Sequence, residues 1–195
     1  MIVCPPHVLE DIISHARETY PHECCGLLAG VFSAQDQGVR GDNPPGRDLL
    51  PDGTVKEIAA SYRARNLNLE RARDRFELDP ADFLKVDKAI RARNEPECQW
   101  EIVGFYHSHP DHPAVPSEFD RQRAWPLYSY LILSIGEGGM GRWAGRTNTV
   151  PTGVDAGTAS QGVLCHIKAP FLRSWVLDEA SHKFVEESIE LPPRA

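Results

Sequence analysis

The sequence lacks the features of several large classes of protein. No apolar run is long enough to span a bilayer, and the N-terminal residues have no basic region followed by an apolar one, so we expect neither a membrane span nor a signal peptide. Acidic residues outnumber basic ones by 28 to 21, and the net charge of −7 argues against a nucleic-acid-binding protein. Internal repeats are also missing. A cytoplasmic globular protein is therefore the expectation.

Cysteine is scarce and unevenly placed. The sequence has five: Cys4, Cys24, Cys25, Cys98 and Cys165. Their number is odd, and no pair has the Cys-x-x-Cys spacing of a zinc ribbon or a redox site. Cys24 and Cys25 lie in an apolar run, which favours buried thiols that act as small hydrophobic side chains. The sequence predicts no disulfide framework.

Length and patterning indicate one mixed domain over residues 1–195, since a chain of this size can bury roughly 70% of its unfolded surface. Apolar spacing predicts helices over 6–19 and 80–93, the second capped by Asp79. Strands are predicted over 24–32, 55–62, 75–78, 100–106, 128–135, 172–177 and 182–186. Polar stretches rich in Gly, Pro, Ser or Thr at 33–54 and 136–162 are predicted to be flexible loops. The fold class is therefore α/β (α+β) with a central sheet.

The strongest chemical signal is a pair of histidines, His107 and His109, at the end of a predicted strand. Side chains alternate along a strand, so both imidazoles point the same way from Cα atoms about 6.5–7 Å apart. This spacing lets both bind one metal ion at about 2.0–2.1 Å. Two histidines on a strand are, by themselves, more often ordinary core or surface residues.

Ser117 and Asp120 follow, and one helical turn places both on the same face. Asp120 can supply an oxygen ligand, and two histidines with one carboxylate leave the fourth position of a tetrahedral zinc site open for water. Ser117 can then donate a hydrogen bond to a developing oxyanion. The same pair also fits a helix N-cap with an acidic third residue, which is compatible with catalysis. His112, in a polar turn, is a competing ligand.

A zinc hydrolase also needs a carboxylate to take the proton of the attacking water. Three glutamates are candidates. Glu118 is predicted to point away from the face of Ser117 and Asp120, and Glu101 lies far along the strand from the histidines. Glu23 directly precedes a buried strand, where a side chain at a sheet end can reach a metal on the neighbouring strand. Position alone supports Glu23 only weakly.

The pattern Glu…His-x-His-x(7)-Ser-x-x-Asp resembles that of the JAMM (MPN+) metalloproteases. It is filled by Glu23, His107, His109, Ser117 and Asp120. A chance match to the part that begins at the first histidine is well under about one in a thousand in this length. The resemblance implies that the histidines and Asp120 bind zinc, that Glu23 is the general base and acid, and that Ser117 supports the tetrahedral intermediate. It also implies a JAB/MPN, cytidine-deaminase-like fold with a central mixed sheet flanked by helices.

The segments 124–130 and 174–177 are similar to those of small, stand-alone bacterial members of this family. Some of these remove a cysteine from the C-terminus of a ubiquitin-like sulfur carrier protein, so the resemblance implies a peptide bond just after a carrier's Gly-Gly end. One alternative is a deubiquitinase-like isopeptidase that acts on a lysine-linked tag. An alternative of another class is a non-catalytic scaffold or binding module. Iron or manganese also suits the ligand set, although zinc best fits hydrolysis.

Two further features have open interpretations. The predicted loops at 33–54 and 136–162 bind a carrier, cover the site or are disordered, and disorder is slightly favoured. The arginine-rich segments 63–65 and 71–75 either meet an acidic carrier or form a solvated face. Interleaved Glu70 and Asp74 favour the solvated face.

Overall fold

A computed structural model describes residues 1–34, 54–95, 99–136 and 171–192. In chain order the elements are β1 (Ile2–Val3), α1 (Pro6–Thr19), β2 (Cys25–Ala34), β3 (Thr54–Ala64), α2 (Pro80–Arg93), β4 (Glu101–Pro110), α3 (Glu118–Arg123), β5 (Ser129–Ile135), β6 (Leu172–Asp178), β7 (Lys183–Glu187) and β8 (Ile189–Glu190). None of the helices in these ranges is long and apolar enough to cross a membrane.

The strands of the described residues form a single mixed sheet in the order β7-β6-β5-β4-β2-β3-β1-β8. Strand β4 lies between β2, to which it is antiparallel, and β5, to which it is parallel. A parallel pair needs a crossover connection, and α3 lies within it. Strands β7 and β8 stand at opposite ends of the order although only Ser188 separates them in the chain. The sheet therefore curls so that its two edge strands, β7 and β8, approach each other at Ser188.

Helix α1 covers one face of the sheet. Pro6 is its first residue. Proline has no backbone N–H, and the first N–H groups of a helix have no partner within the helix, so no hydrogen bond is lost there. Its apolar residues fall on one buried stripe, which consists of Val8, Leu9, Ile12 and Ala16. The stripe packs in one cluster with Leu28 of β2 and Leu131 of β5. The helix predicted over 6–19 is confirmed.

Helix α2 covers the opposite face. Asp79 caps it, since its Oδ1 accepts a hydrogen bond from the backbone N–H two residues on at 2.8 Å. Val86 and Ile90 pack with Leu27, whereas the next strand residue, Leu28, packs on the α1 side. Side chains of one strand thus serve two cores. The predicted α/β fold, a central mixed sheet flanked by helices, is confirmed.

The structure corrects some predicted boundaries. The strand predicted over 75–78 is wrong, because only an isolated bridge joins Leu78 to Asn66 there. Strand β2 continues to Ala34 and β3 begins at Thr54, so the first predicted loop is shorter than 33–54, and residues 35–53 lie outside the described residues. The second predicted loop, 136–162, also lies outside them apart from Gly136.

The described cysteines match their predicted role. Cys4, Cys24 and Cys25 are buried free thiols. Burial raises the pKa of the Cys24 thiol to about 11, so it stays protonated and unreactive at neutral pH. Cys98 and Cys165 lie outside the described residues.

Candidate metal centre

The predicted histidine pair forms the centre of the site. His107 and His109 lie on β4, a strand held on both sides by ladder hydrogen bonds, and both are buried. As the strand alternation requires, their rings meet on one face, with the two Nε2 atoms 3.0 Å apart.

Asp120 is brought to the histidines by the start of α3. Ser117 and Asp120 form a capping box, in which the Ser117 hydroxyl accepts from the Asp120 N–H while the Ser117 N–H donates to Asp120 Oδ2 at 2.7 Å. Asp120 Oδ1 lies 3.7 Å from His107 Nε2, and Oδ2 lies 3.8 Å from His109 Nε2. One ligand atom from each of the three side chains falls within 4.8 Å of the others. The capping geometry thus fixes a carboxylate against the imidazoles.

Hydrogen bonding fixes the tautomer of His109. Its Nδ1 lies 2.7 Å from the Pro113 carbonyl oxygen, which can only accept, so Nδ1 carries the hydrogen and Nε2 presents a lone pair. Burial lowers the pKa of His107, against the opposing pull of Asp120, so this imidazole is neutral as well. His107 Nδ1 is buried and has no hydrogen-bond partner among the described residues.

These observations fit a metal ion. Two neutral imidazoles face each other through their Nε2 atoms, and only a proton or a cation between them relieves the repulsion of facing lone pairs. Although burial raises the pKa of Asp120, the hydrogen bonds from the Ser117 N–H and hydroxyl help to lower it overall, so the carboxylate is ionised. Neutral imidazoles and an ionised carboxylate are the protonation states that bind a divalent metal. Nitrogen and oxygen donors in this number suit zinc.

Glu23 lies at the start of β2, on the strand next to the histidines. Cys25 pairs with His107, and hydrogen bonds between Cys24 and Ser108 extend this register by one residue. Continued one step further, the register sets Glu23 opposite His109. Glu23 is 4% exposed, and burial, followed by the charges of Asp120 and Asp74, raises its pKa to about 9. The structure therefore places a buried carboxyl group on the strand next to the histidines, and Glu23 is not one of the three residues whose ligand atoms lie within 4.8 Å of one another.

Ser117 stands at the rim of the site. It is exposed, and its hydroxyl donates to Asp120 Oδ2 at 2.7 Å. The interpretation of Ser117 as a helix N-cap is thus confirmed.

The other candidates for the base and for a metal ligand do not join the three ligand side chains. Glu101 is exposed at the beginning of β4, and Glu118 pairs with Arg121 on the surface. His112 is exposed, and its backbone carbonyl accepts a hydrogen bond from the Ser134 hydroxyl. None of the three belongs to the group of ligand atoms formed by His107, His109 and Asp120.

Sequence reasoning missed two residues that shape the centre. Asn66 makes four hydrogen bonds: its Nδ2 donates to the carbonyls of Glu23 and Arg75, and its Oδ1 accepts from the N–H groups of Asn68 and Glu77. These bonds tie the segment 66–77 to the backbone of the predicted base. A single asparagine that follows an arginine-containing strand gave no signal of this role.

Phe76 is the second such residue. Its ring lies against the His107 ring, with centroids 4.5 Å apart. An apolar ring beside a ligand limits the access of water to that side of the centre. The alternation of Phe76 and Leu78 was visible in the sequence but predicts a strand, not a wall of the site.

Comparison with known proteins agrees with this geometry. A family described as prokaryotic homologs of the JAB domain matches residues 5–145. The desampylase of Haloferax volcanii is 35% identical over 130 residues, which cover 64% of this chain and 74% of that protein. The CysO-cysteine peptidase of Mycobacterium tuberculosis is 28% identical over 135 residues, which cover 69% of this chain and 73% of that protein.

A solved structure has the same fold. The solution structure of a protein from Salinibacter ruber has a TM-score of 0.55 and 28% identity, covering 98% of this chain and 92% of that one. The resemblance to JAMM (MPN+) proteins, drawn from the five-residue pattern, is confirmed. The chain belongs to the family of prokaryotic homologs of the JAB domain.

Proposed function

We propose that this chain is a single-domain, zinc-dependent metallopeptidase that hydrolyses the amide bond after the C-terminal Gly-Gly of a ubiquitin-like sulfur carrier protein. The observation that carries the proposal is the buried group of His107, His109 and Asp120, beside which Glu23 is held with a raised pKa. Membership of the JAB-domain family supports hydrolysis. One relative is named as a peptidase of CysO-cysteine, and this similarity supports the substrate class.

The ligands in this proposal are His107 and His109 through their Nε2 atoms, and Asp120 through its carboxylate. When bound, zinc polarises the scissile carbonyl and lowers the pKa of water enough to supply a nucleophile near neutral pH. Pro113 keeps the proton of His109 on Nδ1, so Nε2 remains free to bind. The bonds from Ser117 orient Asp120.

Glu23 moves the proton. Its carboxylate takes a proton from the attacking water and delivers it to the leaving amine. Without a cation in the centre the pKa of Glu23 is raised to about 9, and the charge of a metal ion held by the three ligands would lower this pKa towards the neutral range that the double role requires. Ser117, exposed at the rim, turns its hydroxyl from Asp120 towards the oxyanion of the substrate as the tetrahedral intermediate forms.

The test is cleavage of a sulfur carrier protein extended beyond its Gly-Gly, followed by intact-mass spectrometry. We expect release of the extension directly after Gly-Gly, and loss of that product with a chelator or with Glu23→Gln. Arg73→Gln, an exposed change near the site, is the matched control and should retain activity. Intact substrate in every sample that holds one zinc per chain would contradict the substrate class. Cleavage that survives both the chelator and Glu23→Gln would contradict the metallopeptidase itself.

A second candidate is an isopeptidase that acts on a lysine-linked ubiquitin-like tag. The 35% identical relative, which is named desampylase and not an amino-acid-releasing peptidase, favours it. A carrier joined to a lysine side chain, compared with the same carrier extended through its C-terminal α-amide, separates the two. The proposal predicts faster cleavage of the α-amide substrate, and the reverse order would favour the isopeptidase.

A further inference from the structure

Three successive carbonyl groups anchor the loop that connects β4, the histidine strand, to α3, the helix of Asp120. The carbonyl oxygens of His112, Pro113 and Ala114 each accept a hydrogen bond from a side chain, and each of these side chains lies on a different strand. Because the acceptors are consecutive, the bonds fix the whole middle of the loop and not a single residue of it.

The three donors come from three adjacent strands. On β4, His109 donates from Nδ1 to the Pro113 carbonyl at 2.7 Å. On β5, the Ser134 hydroxyl donates to the carbonyl before it at 2.6 Å. On β6, the Trp175 indole N–H donates to the carbonyl after it at 3.1 Å. The bond that fixes the tautomer of His109 is therefore flanked on both sides by a bond from another strand.

The register of the sheet explains why these donors share one face. Ser134 is the β5 residue paired with His109, so the two side chains leave the same face of the sheet side by side. Trp175 pairs with Tyr130, which lies an even number of residues before Ser134 on β5. The indole therefore projects from that face too, and its length lets it reach the loop.

Trp175 is itself held by its neighbours. The guanidinium carbon of Arg173 lies 4.4 Å from the centroid of the indole ring, and Arg173 pairs with Glu186 through two hydrogen bonds. The acceptor of the indole N–H is equally confined, since Ala114 is fully buried. Water therefore cannot replace this donor, and the Ala114 carbonyl would stay unpaired without it.

We propose that Ser134 and Trp175 are positioning residues of the metal centre. They hold the loop on both sides of the Pro113 carbonyl, and this carbonyl keeps the hydrogen of His109 on Nδ1. This inference rests on the proposed function, because the side chain that they position is a ligand of the proposed zinc ion. It gives β6, which carries none of the three ligands, a part in supporting them.

Single donors can be removed with little change in volume. Trp175→Phe and Ser134→Ala should each raise the zinc Kd by about three- to tenfold, below the roughly 10–100-fold loss that is typical when the direct partner of a ligand is removed. Ser134→Thr keeps the hydroxyl and should restore the affinity. Trp100→Phe is the matched control, because Trp100 precedes β4 at the end opposite to the histidines. Titration against a competing chelator measures each affinity.

A second measurement needs no metal. Nitrogen–proton correlation spectra of the metal-free chain with isotope-labelled histidine distinguish an imidazole protonated on Nδ1 from one protonated on Nε2. The wild type and Trp100→Phe should show His109 protonated on Nδ1 alone. Trp175→Phe and Ser134→Ala should each show a mixture of the two tautomers, because the Pro113 carbonyl is then less firmly held.

The two measurements separate a positioning role from a structural one. Wild-type zinc affinity and an unchanged His109 tautomer in both Trp175→Phe and Ser134→Ala, with only the urea midpoint lowered, would overturn the inference and leave the proposed function standing. If the wild type bound no zinc, the proposed function would fail, and the tautomer spectra would still show whether the two residues position His109.

Discussion

The position of one proton on His109 decides whether the candidate centre can bind a metal. The Pro113 carbonyl oxygen accepts from Nδ1 at 2.7 Å and so leaves Nε2 with its lone pair directed at His107 Nε2. Asp120 adds an ionised carboxylate on the same side. His109 and Asp120 are thus in their metal-binding forms because of their neighbours and not because of residue type alone, while burial keeps His107 neutral.

Asn66 is expected to position Glu23 and Phe76 through its four hydrogen bonds. Asn66→Ala should lower kcat at least about tenfold with little change in KM or zinc content, since a small misplacement of a base is costly. It should also reduce the free energy of unfolding by about 1–3 kcal/mol, because backbone groups lose their partners. The measurements are steady-state kinetics, zinc analysis and urea unfolding.

Asn68→Ala is the matched control for that prediction. Asn68 lies in the same segment, and its side chain accepts a hydrogen bond from the Arg71 N–H without reaching Glu23. This variant should retain wild-type kcat. If Asn66→Ala and Asn68→Ala lowered kcat equally, Asn66 would have only a structural role in the segment.

His15 makes the stability of the fold depend on pH. Its Nδ1 lies 2.9 Å from the buried Tyr106 hydroxyl, and burial, followed by the charge of Arg63, lowers its pKa from 6.5 to about 4. Between these two values the unfolded chain binds a proton that the folded chain does not, so stability falls as the pH drops from 6.5 towards 4. Urea midpoints at pH 7 and pH 5 should differ more in the wild type than in His15→Gln. An equal pH dependence in both would contradict the assignment.

At this scale the sequence predicted the site in part. His107, His109 and Asp120 were visible because their spacing is local and follows strand and helix periods. Glu23 needed the family resemblance, since its distance from the histidines in the chain gives no geometric information. Asn66 and Phe76 were missed because their contacts, Asn66 with Glu23 and Phe76 with His107, depend on tertiary packing.

Among the elements, β4 and α3 together build the centre. The strand supplies the two imidazoles in a rigid position between β2 and β5, and α3 supplies Asp120 through its own N-terminal capping box. One set of hydrogen bonds therefore both starts the helix and orients a proposed metal ligand. The predicted strand over 75–78 failed because the period of two in Phe76 and Leu78 comes from lining a groove and not from pairing in the sheet.

Ser117→Ala tests this double use of the capping box. The loss of the N-cap should reduce the free energy of unfolding of the metal-free chain by about 1 kcal/mol. Zinc affinity should fall roughly tenfold, because Asp120 loses the hydroxyl that bonds its Oδ2. Ser117→Thr keeps the hydroxyl and should restore both properties. Urea unfolding and zinc titration against a competing chelator measure them, and unchanged zinc affinity in Ser117→Ala would contradict the orienting role.

For the whole molecule, the curled sheet joins distant parts of the chain. Strand β1 pairs with both β3 and β8, and Lys56 of β3 reaches across the interior to donate to Ser129 of β5 at 2.8 Å. The sequence predicted the helices and the long strands from their periodicity. It did not predict β1 and β8, because strands of two residues carry no periodic signal and depend on long-range pairing.

Removal of the metal should affect the stability of the entire fold. The proposed zinc ion, shared by β4 and α3, would stabilise only the folded chain, by about 2.7 kcal/mol at a hundredfold excess over Kd. The zinc-loaded chain should therefore melt roughly 5–10 °C above the chelated chain, in one cooperative transition as expected for a single domain. His109→Ala should show no shift with zinc. A shift of equal size in that variant would indicate binding elsewhere.

The most direct test of the central claim is the zinc content of three preparations after dialysis against a buffered zinc solution: wild type, Glu23→Gln and Asp120→Ala. The account predicts one zinc per chain in the wild type and in Glu23→Gln, and essentially none in Asp120→Ala, because Asp120 is a ligand and Glu23 is not. Equal zinc in the wild type and Asp120→Ala, or loss of zinc in Glu23→Gln alone, would contradict the assignment of the centre.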